Sequence, residues 1–338
     1  MKEPETLLLS GRDVRALLPM KECIEVMEGA LRSVTDGRSV LPLRTIIKLD
    51  GTPNAFGSMP AVVGKGAGAS LGAKIITVFP GNDSTPYDAH IGVVLLFDAE
   101  HGKLLAIADA SSITSIRTSA VSGLATRLLA REDAKELAIL GAGVLAMPHL
   151  DAVKCVREIR RVRVWSRSGE KSKMFAEKAR AKFGVEVAVC AGAREAVEGA
   201  DVVCTITASR TPVLEGAWLA PGAHVNAVGA SLPTARELDT AAVVRSRLFV
   251  DRRESTLNEA GDFLIPRGEG AVTDAHILGE LGDLLAKSVK GRTSRDDITL
   301  FKSLGLAVED VASLRHIHTK AMASGAGTRF ALGGLREG

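Results

Sequence analysis

The sequence predicts an α/β protein that combines a doubly wound parallel sheet with a second, α+β domain. From about residue 118 onward, short apolar runs alternate with helical stretches, which is the pattern of parallel strands joined by crossover helices. Before residue 118, apolar runs of strand length are separated by turn signals such as Asp50-Gly51 and Pro80-Gly81. This first part therefore predicts a mostly antiparallel sheet with helices.

The individual elements follow from the spacing of apolar residues. Helical spacing covers residues 14–34, 119–130, 170–183, 193–198 and 304–322. Runs of strand length in the first part cover residues 43–48, 73–79, 92–97 and 104–108. In the second part they cover residues 137–140, 162–165, 185–189, 202–207, 224–228 and 247–250. Strands and helices alternate only in the second part, so the parallel sheet is expected there.

Composition and charge exclude several classes of protein. Of the 338 residues, 46% are hydrophobic and 25% charged, which is typical of a folded chain with a core. The net charge is +3 and aromatic residues make up 4%, so a nucleic-acid partner is not expected. We interpret the one dense basic run, residues 157–163, as a solvated helix end before a strand.

The cysteines and the N-terminus bear on metal binding and location. The cysteines are scattered and form no Cys-x-x-Cys pair, so we expect no metal site and a reducing compartment. A patch of three leucines is followed at once by charged residues, which argues against a signal peptide. The longest charge-free stretch, residues 216–235, contains glycine and proline and is not a spanning helix. We expect a cytoplasmic protein without a membrane partner.

A glycine-rich loop follows the predicted strand 137–140. Gly141 permits a tight turn, Gly143 lets the backbone approach a pyrophosphate, and Ala146 permits close packing of helix on strand. Backbone amides at the start of the next helix favour phosphate charge. Because the motif stands between a strand and a helix, the parallel sheet is predicted to be a Rossmann-type dinucleotide-binding domain.

The end of the next strand bears on the choice of nucleotide. An acidic side chain there would bind the adenosine ribose 2′-hydroxyl and select NAD, but the chain has Ser166, Arg167 and Ser168. A guanidinium between two hydroxyls suits a 2′-phosphate. We expect NADPH to be preferred and NADH to remain possible; the alternative is that Arg167 only faces solvent.

Isolated cations in apolar surroundings mark a candidate substrate site. Arg44 and Lys74 lie in predicted apolar strands, and Arg117 precedes the dinucleotide domain. A buried cation is costly unless it meets an anion, so each of the three suits either a substrate carboxylate or an internal salt bridge. His90 precedes a strand and is either a proton donor or a structural histidine.

The chain resembles the ornithine cyclodeaminase/mu-crystallin family along nearly its whole length, and its motifs are most similar to the ketimine reductase branch. The motifs that carry the resemblance are residues 42–45 (PLRT), 73–75 (AKI), 115–120 (SIRTSA), 140–144 (LGAGV), 221–231 (PGAHVNAVGAS), 236–239 (RELD) and 301–310 (FKSLGLAVED).

The resemblance implies roles for individual residues. It implies that Arg44, Lys74 and Arg117 bind the substrate carboxylate, with Lys74 and Arg117 at the catalytic site. His90 is a further catalytic candidate, and Met59 a further candidate for contact with the substrate. Residues expected to bind the nucleotide are Thr118, Gly141, Gly143, Val144, Leu145, Ser166, Arg167, Ser168, Thr205, Thr207, Val228 and Ser303. The resemblance further implies a homodimer in which residues 1–118 and 314–338 bind substrate and dimerise, whereas residues 119–313 bind the nucleotide.

Ser231 and Leu145 depart from parts of the family. Ornithine cyclodeaminases have an aspartate where this chain has Ser231, and a serine does not serve comparably as a base. Ketimine reductases of the family do have Gly-Ala-Ser, so Ser231 is expected to contact substrate. Many relatives have glutamine in place of Leu145.

The resemblance, together with these residues, implies an NAD(P)H-dependent reductase of 2-imino acids, with 1-piperideine-2-carboxylate and 1-pyrroline-2-carboxylate as expected substrates. The proton donor stays open between His90, Ser231 and a bound water. The alternatives are reductive amination of 2-oxo acids, as in alanine dehydrogenases; ornithine cyclodeamination, which Ser231 disfavours; and a non-catalytic small-molecule binder.

Overall fold

The computed structural model describes residues 5–335, apart from the side chains of Asp83 and Ser84. The chain divides into two compact units: the N-terminal unit, Met1–Arg117 with Leu306–Gly338, and the central unit, Thr118–Gly305. Residues 1–4 and 336–338 of the predicted first domain lie outside the described residues. The predicted boundary after residue 313 falls inside the last long helix, which begins at Ala307 and belongs to the N-terminal unit.

The strands, in chain order, are β1 (Glu5–Leu9), β2 (Thr45–Lys48), β3 (Ala55–Val63), β4 (Ser70–Val78), β5 (His90–Asp98), β6 (Leu104–Asp109), β7 (Glu136–Leu140), β8 (Arg161–Trp165), β9 (Glu186–Val189), β10 (Val202–Thr205), β11 (His224–Ala227), β12 (Ser246–Val250), β13 (Ile277–Glu280), β14 (Ile298–Lys302) and β15 (Thr328–Ala331). The helices are α1 (Gly11–Leu17), α2 (Met20–Thr35), α3 (Ala110–Leu129), α4 (Ala146–Val156), α5 (Gly169–Phe183), α6 (Ala193–Val197), α7 (Thr240–Val244), α8 (Arg253–Glu259), α9 (Gly261–Gly268), α10 (Leu281–Leu285) and α11 (Ala307–Ser324).

The N-terminal unit is built on a seven-stranded sheet in the order β15-β1-β6-β5-β4-β3-β2. Its neighbouring strands run antiparallel except for β1 and β6, which are parallel. Helix α11 packs on one face, against β3, β4, β5 and α2. A Cβ on Gly72 would come within 2.8 Å of Val311, so glycine lets the helix approach the sheet closely.

Several elements of this unit differ from the sequence prediction. The helical region 14–34 is two helices, because Pro19 lies between α1 and α2 and has no amide to continue the first. Strand β3 was missed because Gly57 and Pro60 interrupt its apolar pattern. Arg44 precedes β2 and is half-buried, so the prediction that it lies inside a strand is wrong.

The central unit contains an eight-stranded parallel sheet in the order β13-β12-β14-β11-β10-β7-β8-β9. From β7 the chain adds β8 and then β9 on one side of the sheet. It then returns to the other side of β7 and adds β10 to β13, and β14 finally inserts between β11 and β12. The strand order therefore reverses between β7 and β10, and ligands of such sheets bind at this switch point, beyond the carboxyl ends of the strands. The predicted doubly wound parallel sheet is confirmed.

Helix α3 begins at Ala110, well before the predicted start at residue 119. The helix is largely buried and therefore has no separate polar and apolar faces. Serines and threonines in its first turns further obscure the spacing of apolar residues by which a helix is predicted. The Arg157 guanidinium donates hydrogen bonds of 2.7–3.1 Å to the carbonyl oxygens of residues 126 and 127 in the last turn of α3, and to those of residues 130 and 131 just beyond it. Arg157 thus caps α3, and the interpretation of run 157–163 as solvated is wrong for this residue.

No helix within residues 5–335 is both long enough and apolar enough to cross a membrane.

Candidate active site

Lys74 is a buried cation in the middle of the N-terminal sheet. It lies in β4, in register with Met59 of β3 and Val94 of β5, and is 3% exposed. Its Nζ lies 2.9 Å from Asp310 Oδ2 and 3.5 Å from Thr114 Oγ1. The predicted buried lysine is therefore present, and its partner comes from α11.

Arg117, at the last position of the first segment of the N-terminal unit, is likewise 3% exposed. Its Nε donates to Asp310 Oδ1 at 2.9 Å, and its Nη1 donates to Glu309 Oε2 at 2.8 Å. Both carboxylates lie in the first turn of α11, where the helix dipole favours negative charge. The two cations and two carboxylates form one cluster, which we call the charge cluster.

The charge cluster alters the titration of its members. Burial lowers the pKa of Lys74 to about 8; Asp310 opposes this shift, whereas Arg117 and Arg44 add to it. Burial alone would raise the pKa of Asp310, but Arg117 and Lys74 hold it below its ordinary value. Asp310 is therefore a carboxylate at neutral pH, and Lys74 is mainly an ammonium.

His90 and Met59 lie on the same face of the sheet as Lys74. Met59 is buried beside it, whereas His90 is the first residue of β5 and is exposed. Partial loss of hydration among the surrounding protein atoms, and then the positive charge of Lys74, hold the pKa of His90 below its ordinary value. The imidazole is therefore mainly neutral at pH 7.

The glycine-rich loop of the central unit follows β7 as predicted. Gly141 has φ +113°, and a Cβ there would lie 2.8 Å from the Ile206 carbonyl oxygen. A Cβ on Gly143 would enter open space, and Val144 is 76% exposed at the tip of the loop. The open space at Gly143, three residues before α4 begins, fits the approach of a pyrophosphate.

His149, which sequence reasoning missed, lies in α4 and contacts the Leu145 end of this loop. Its Nδ1 lies 2.9 Å from both the Leu145 carbonyl oxygen and Ser119 Oγ, and its Nε2 lies 3.1 Å from Ser122 Oγ. The ring is fully buried, and burial lowers its pKa to about 4. A neutral imidazole therefore connects α3 to the Leu145 end of the loop.

The end of β8 presents the residues predicted to select the nucleotide. Arg167 is exposed and forms no ion pair with any residue that the structure describes. The Ser168 hydroxyl accepts from the Lys171 amide and caps α5, and Ser166 Oγ donates to the Ser168 carbonyl. Arg167 thus lies between two serines whose hydroxyls form hydrogen bonds within the turn.

A second group missed by sequence reasoning is the buried Glu237 carboxylate. It accepts hydrogen bonds from Thr205 Oγ1 at 2.9 Å, from the Thr207 amide and hydroxyl at 2.6 and 2.7 Å, and from the Gly229 amide at 2.7 Å. Burial, and then the nearby Asp262, raise the pKa of Glu237, while Lys302 and Thr207 oppose the rise. Glu237 therefore fixes the chain just beyond the ends of β10 and β11.

Among the remaining predicted residues of the central unit, Thr118 lies within α3, whereas Thr205, Val228 and Ser303 lie at the ends of β10, β11 and β14. Thr205, Thr118, Val228 and Ser303 are buried, with the Ser303 amide donating to the Ala227 carbonyl. Ser231 is exposed. Its position is set by Lys302, whose Nζ lies 2.9 Å from Asp262 Oδ2 and donates to the preceding Ala230 carbonyl at 2.6 Å.

Among residues 5–335, no group of three or more His, Cys, Asp or Glu side chains is placed to hold a metal ion.

Sequence and structure comparisons place the chain among known proteins. The model of the ornithine cyclodeaminase/mu-crystallin family matches residues 4–325. The chain belongs to this family. A Δ1-pyrroline-2-carboxylate reductase of Bacillus cereus is 37% identical over 325 residues, which cover 96% of this chain and 99% of that protein. The ketimine reductase mu-crystallin of Mus musculus is 38% identical, over 87% of this chain and 90% of that protein.

Solved structures agree with the family assignment. Thermococcus litoralis Δ1-pyrroline-2-carboxylate reductase, in complex with NADH and L-proline, matches with a TM-score of 0.93 and 39% identity, over 96% of this chain and 99% of that one. An archaeal alanine dehydrogenase dimer with bound NAD matches with a TM-score of 0.91 and 28% identity, over 97% of this chain and all of that one. The predicted family and fold class are confirmed.

Proposed function

We propose that the chain is an NAD(P)H-dependent reductase of cyclic 2-imino acids. The observation that carries the proposal is the buried pair of cations, Lys74 and Arg117, in a family member whose relatives include Δ1-pyrroline-2-carboxylate and ketimine reductases. In the proposed reaction, hydride adds to the C=N carbon and a proton to the nitrogen. The products are the cyclic amino acid and the oxidised nucleotide, so the two electrons are balanced.

The charge cluster and Arg44 supply the substrate-binding groups in this proposal. Lys74, Arg117 and Arg44 provide ammonium and guanidinium donors that match a carboxylate. Lys74 and Arg117 are already held by Asp310 and Glu309, so they lose little side-chain entropy when the substrate binds. A substrate carboxylate fixed in this way orients its C=N carbon for hydride attack.

The central unit provides the nucleotide-binding residues. The positive φ of Gly141, the open space at Gly143 and the amides at the start of α4 together suit a pyrophosphate. A bound nicotinamide nucleotide supplies the hydride. Glu237 orients Thr207 and Gly229, which we propose lie along it.

We further propose a preference for NADPH over NADH. Arg167 is exposed at the end of β8, and an acidic residue is absent from positions 166–168, where NAD-specific proteins bind the ribose. A guanidinium there gains forked hydrogen bonds with a 2′-phosphate and none of comparable strength with a hydroxyl.

The proposed proton donor is His90, because it lies on the Lys74 face of the sheet and is accessible. Its pKa lies below the ordinary value, so its protonated fraction falls as the pH rises toward 7. A His90→Asn variant is expected to slow turnover most at acidic pH. Equal slowing at all pH values would instead favour Ser231 or a bound water as the proton source.

The outer face of the N-terminal sheet supports a homodimer. The row Ile47, Phe56, Thr77 and Ile91 crosses four strands on the face opposite Lys74, and its apolar members are 40–58% exposed. An exposed apolar sheet face of this kind marks an interaction surface, and an archaeal relative is a dimer. A Phe56→Asp variant is expected to yield monomers by light scattering, whereas an unchanged mass would contradict this interface.

A substrate panel tests the proposed function. Oxidation of NADPH is followed with 1-pyrroline-2-carboxylate, with 1-piperideine-2-carboxylate and with pyruvate plus ammonia, and L-ornithine is tested with NAD. We expect the highest kcat/KM with a cyclic ketimine. Release of ammonia from ornithine would contradict the role given to Ser231, and binding of ketimine without turnover would favour a non-catalytic binder.

A further inference from the structure

Asp310 bridges the two buried cations of the charge cluster. Each of its oxygens contacts one of them: Oδ2 lies 2.9 Å from Lys74 Nζ, and Oδ1 lies 2.9 Å from Arg117 Nε. We propose that Asp310 is a positioning residue that fixes Lys74 and keeps its ammonium charged before the substrate arrives. This inference rests on the proposed function, because it assumes that Lys74 binds the substrate carboxylate.

The burial of Lys74 makes such a partner necessary. An ammonium that is 3% exposed loses its hydration, and an unpaired one would release its proton and become a neutral amine. A neutral amine is a weak ligand for a carboxylate. The fully buried Asp310 side chain supplies the compensating negative charge within the protein itself. The site is therefore charged when empty and does not depend on the substrate to become so.

The other charged groups around Lys74 act in the opposite direction. Arg117 and Arg44 disfavour its protonation, and a protonated His90 would do the same. Asp310 is the group that raises the pKa of Lys74, through both its charge and its hydrogen bond. The balance leaves the pKa at about 8, so a loss of Asp310 should bring it down into or below the neutral range.

Glu309 provides an internal comparison. It lies beside Asp310 in the same turn of α11, and its ion pair is with Arg117 at 2.8 Å. A Glu309→Gln change therefore removes one carboxylate from the cluster while the Lys74–Asp310 pair stays intact. If Asp310 is the residue that keeps Lys74 protonated, Asp310→Asn must lower the pKa of Lys74 more than Glu309→Gln does.

The test measures how binding of a planar carboxylate depends on pH. Calorimetry with pyrrole-2-carboxylate and the NADP-loaded full-length protein gives Kd from pH 5 to 9.5. We expect wild-type affinity to fall as the pH rises through about 8. In Asp310→Asn the same fall should begin roughly 1–3 pH units lower, since an adjacent opposite charge shifts a pKa by that amount. Glu309→Gln should keep the wild-type midpoint, as should Glu22→Gln, which removes a half-buried partner of α11.

Two outcomes would overturn the proposal: an Asp310→Asn midpoint equal to that of wild type, or a Glu309→Gln midpoint displaced as far. If Asp310→Asn does not fold, Lys74→Met/Asp310→Asn removes both charges and should fold again, because neither partner is then left unpaired. A double variant no more stable than the single one would contradict the pairing. Because binding is measured without turnover, a shifted midpoint in a protein that reduces no ketimine would refute the proposed function alone.

Discussion

The Asp310 carboxylate lies 2.9 Å from the Lys74 ammonium, and both side chains are almost fully buried. The pair connects α11, from the C-terminal part of the N-terminal unit, to the middle of β4. Neither residue is at a surface where solvent would screen the interaction. The charged state of Lys74 at the candidate site therefore depends on the packing of α11 against the sheet.

Replacement of Lys74 by Met should abolish most ketimine reduction. Methionine keeps most of the length of the lysine side chain but lacks its charge, so the substrate carboxylate loses a buried partner, which costs about 2–5 kcal/mol. We expect kcat/KM to fall at least ~30-fold, while the NADPH Kd stays within about twofold. The matched control is Lys320→Met, which removes a half-buried cation of α11 paired with Glu22. Wild-type kinetics in Lys74→Met would remove this residue from the site.

Replacement of Arg167 by Asp should reverse the coenzyme preference. A carboxylate repels a 2′-phosphate and accepts hydrogen bonds from a ribose hydroxyl, so the ratio of kcat/KM for NADPH to that for NADH should fall at least ~10-fold. Arg160→Asp serves as the control, because Arg160 is also exposed but pairs with Glu158. An unchanged ratio in Arg167→Asp would show that this arginine only faces solvent.

Replacement of Glu237 by Gln should weaken both folding and nucleotide binding. The amide presents one acceptor oxygen to a site with four donors, and its NH2 group faces donors. Unsatisfied buried donors cost roughly 1–3 kcal/mol, which urea unfolding measures, and the NADPH Kd should rise. Glu177→Gln, at an exposed position of α5, is the control. Unchanged stability and Kd would mean that Thr207 and Gly229 hold their positions without Glu237.

The buried histidines predict a loss of stability in acid. Burial lowers the pKa of His149 to about 4 and that of His224 to about 3, whereas an unfolded histidine titrates near 6.5. As the pH falls below about 6.5, the unfolded chain takes up protons that the folded one does not, so the free energy of unfolding falls. Each histidine contributes about 1.4 kcal/mol per pH unit in this window.

Urea unfolding at several pH values between 5 and 7.5 checks this dependence. His224→Asn should reduce the slope of unfolding free energy against pH by the contribution of one group. The exposed His101 is the control, and His101→Asn should keep the slope. An identical slope in His224→Asn and wild type would show that folding does not lower the pKa of this ring.

Local sequence signals account for six of the eight strands of the central unit. The loop 141–146 was predictable because a strand, two glycines and a helix follow one another directly, and the ends of β7 to β12 lie within a few residues of prediction. Strands β13 and β14 were not predicted. Lys74 was readable as a cation among apolar residues. These features depend on neighbours in sequence, where periodicity and turn chemistry act.

Side chains that pair with residues distant in sequence could not be predicted. Asp310 lies 193 residues from Arg117, and Glu237 lies 30 residues from Thr207, so only the fold brings them together. Acidic residues at the start of a helix are common for reasons of the helix dipole alone, and nothing in their spacing marks Glu309 and Asp310 as buried. The sequence therefore indicated the cations but not the carboxylates that hold them.

Isotope transfer tests the central claim most directly. NADPH carrying deuterium at both C4 positions is incubated with the protein and 1-pyrroline-2-carboxylate, and the product is examined by mass spectrometry and NMR. The account predicts proline with one deuterium on Cα, and a much slower formation of the same product by Lys74→Met. Proline without deuterium at Cα, or label transfer that persists undiminished in Lys74→Met, would contradict it.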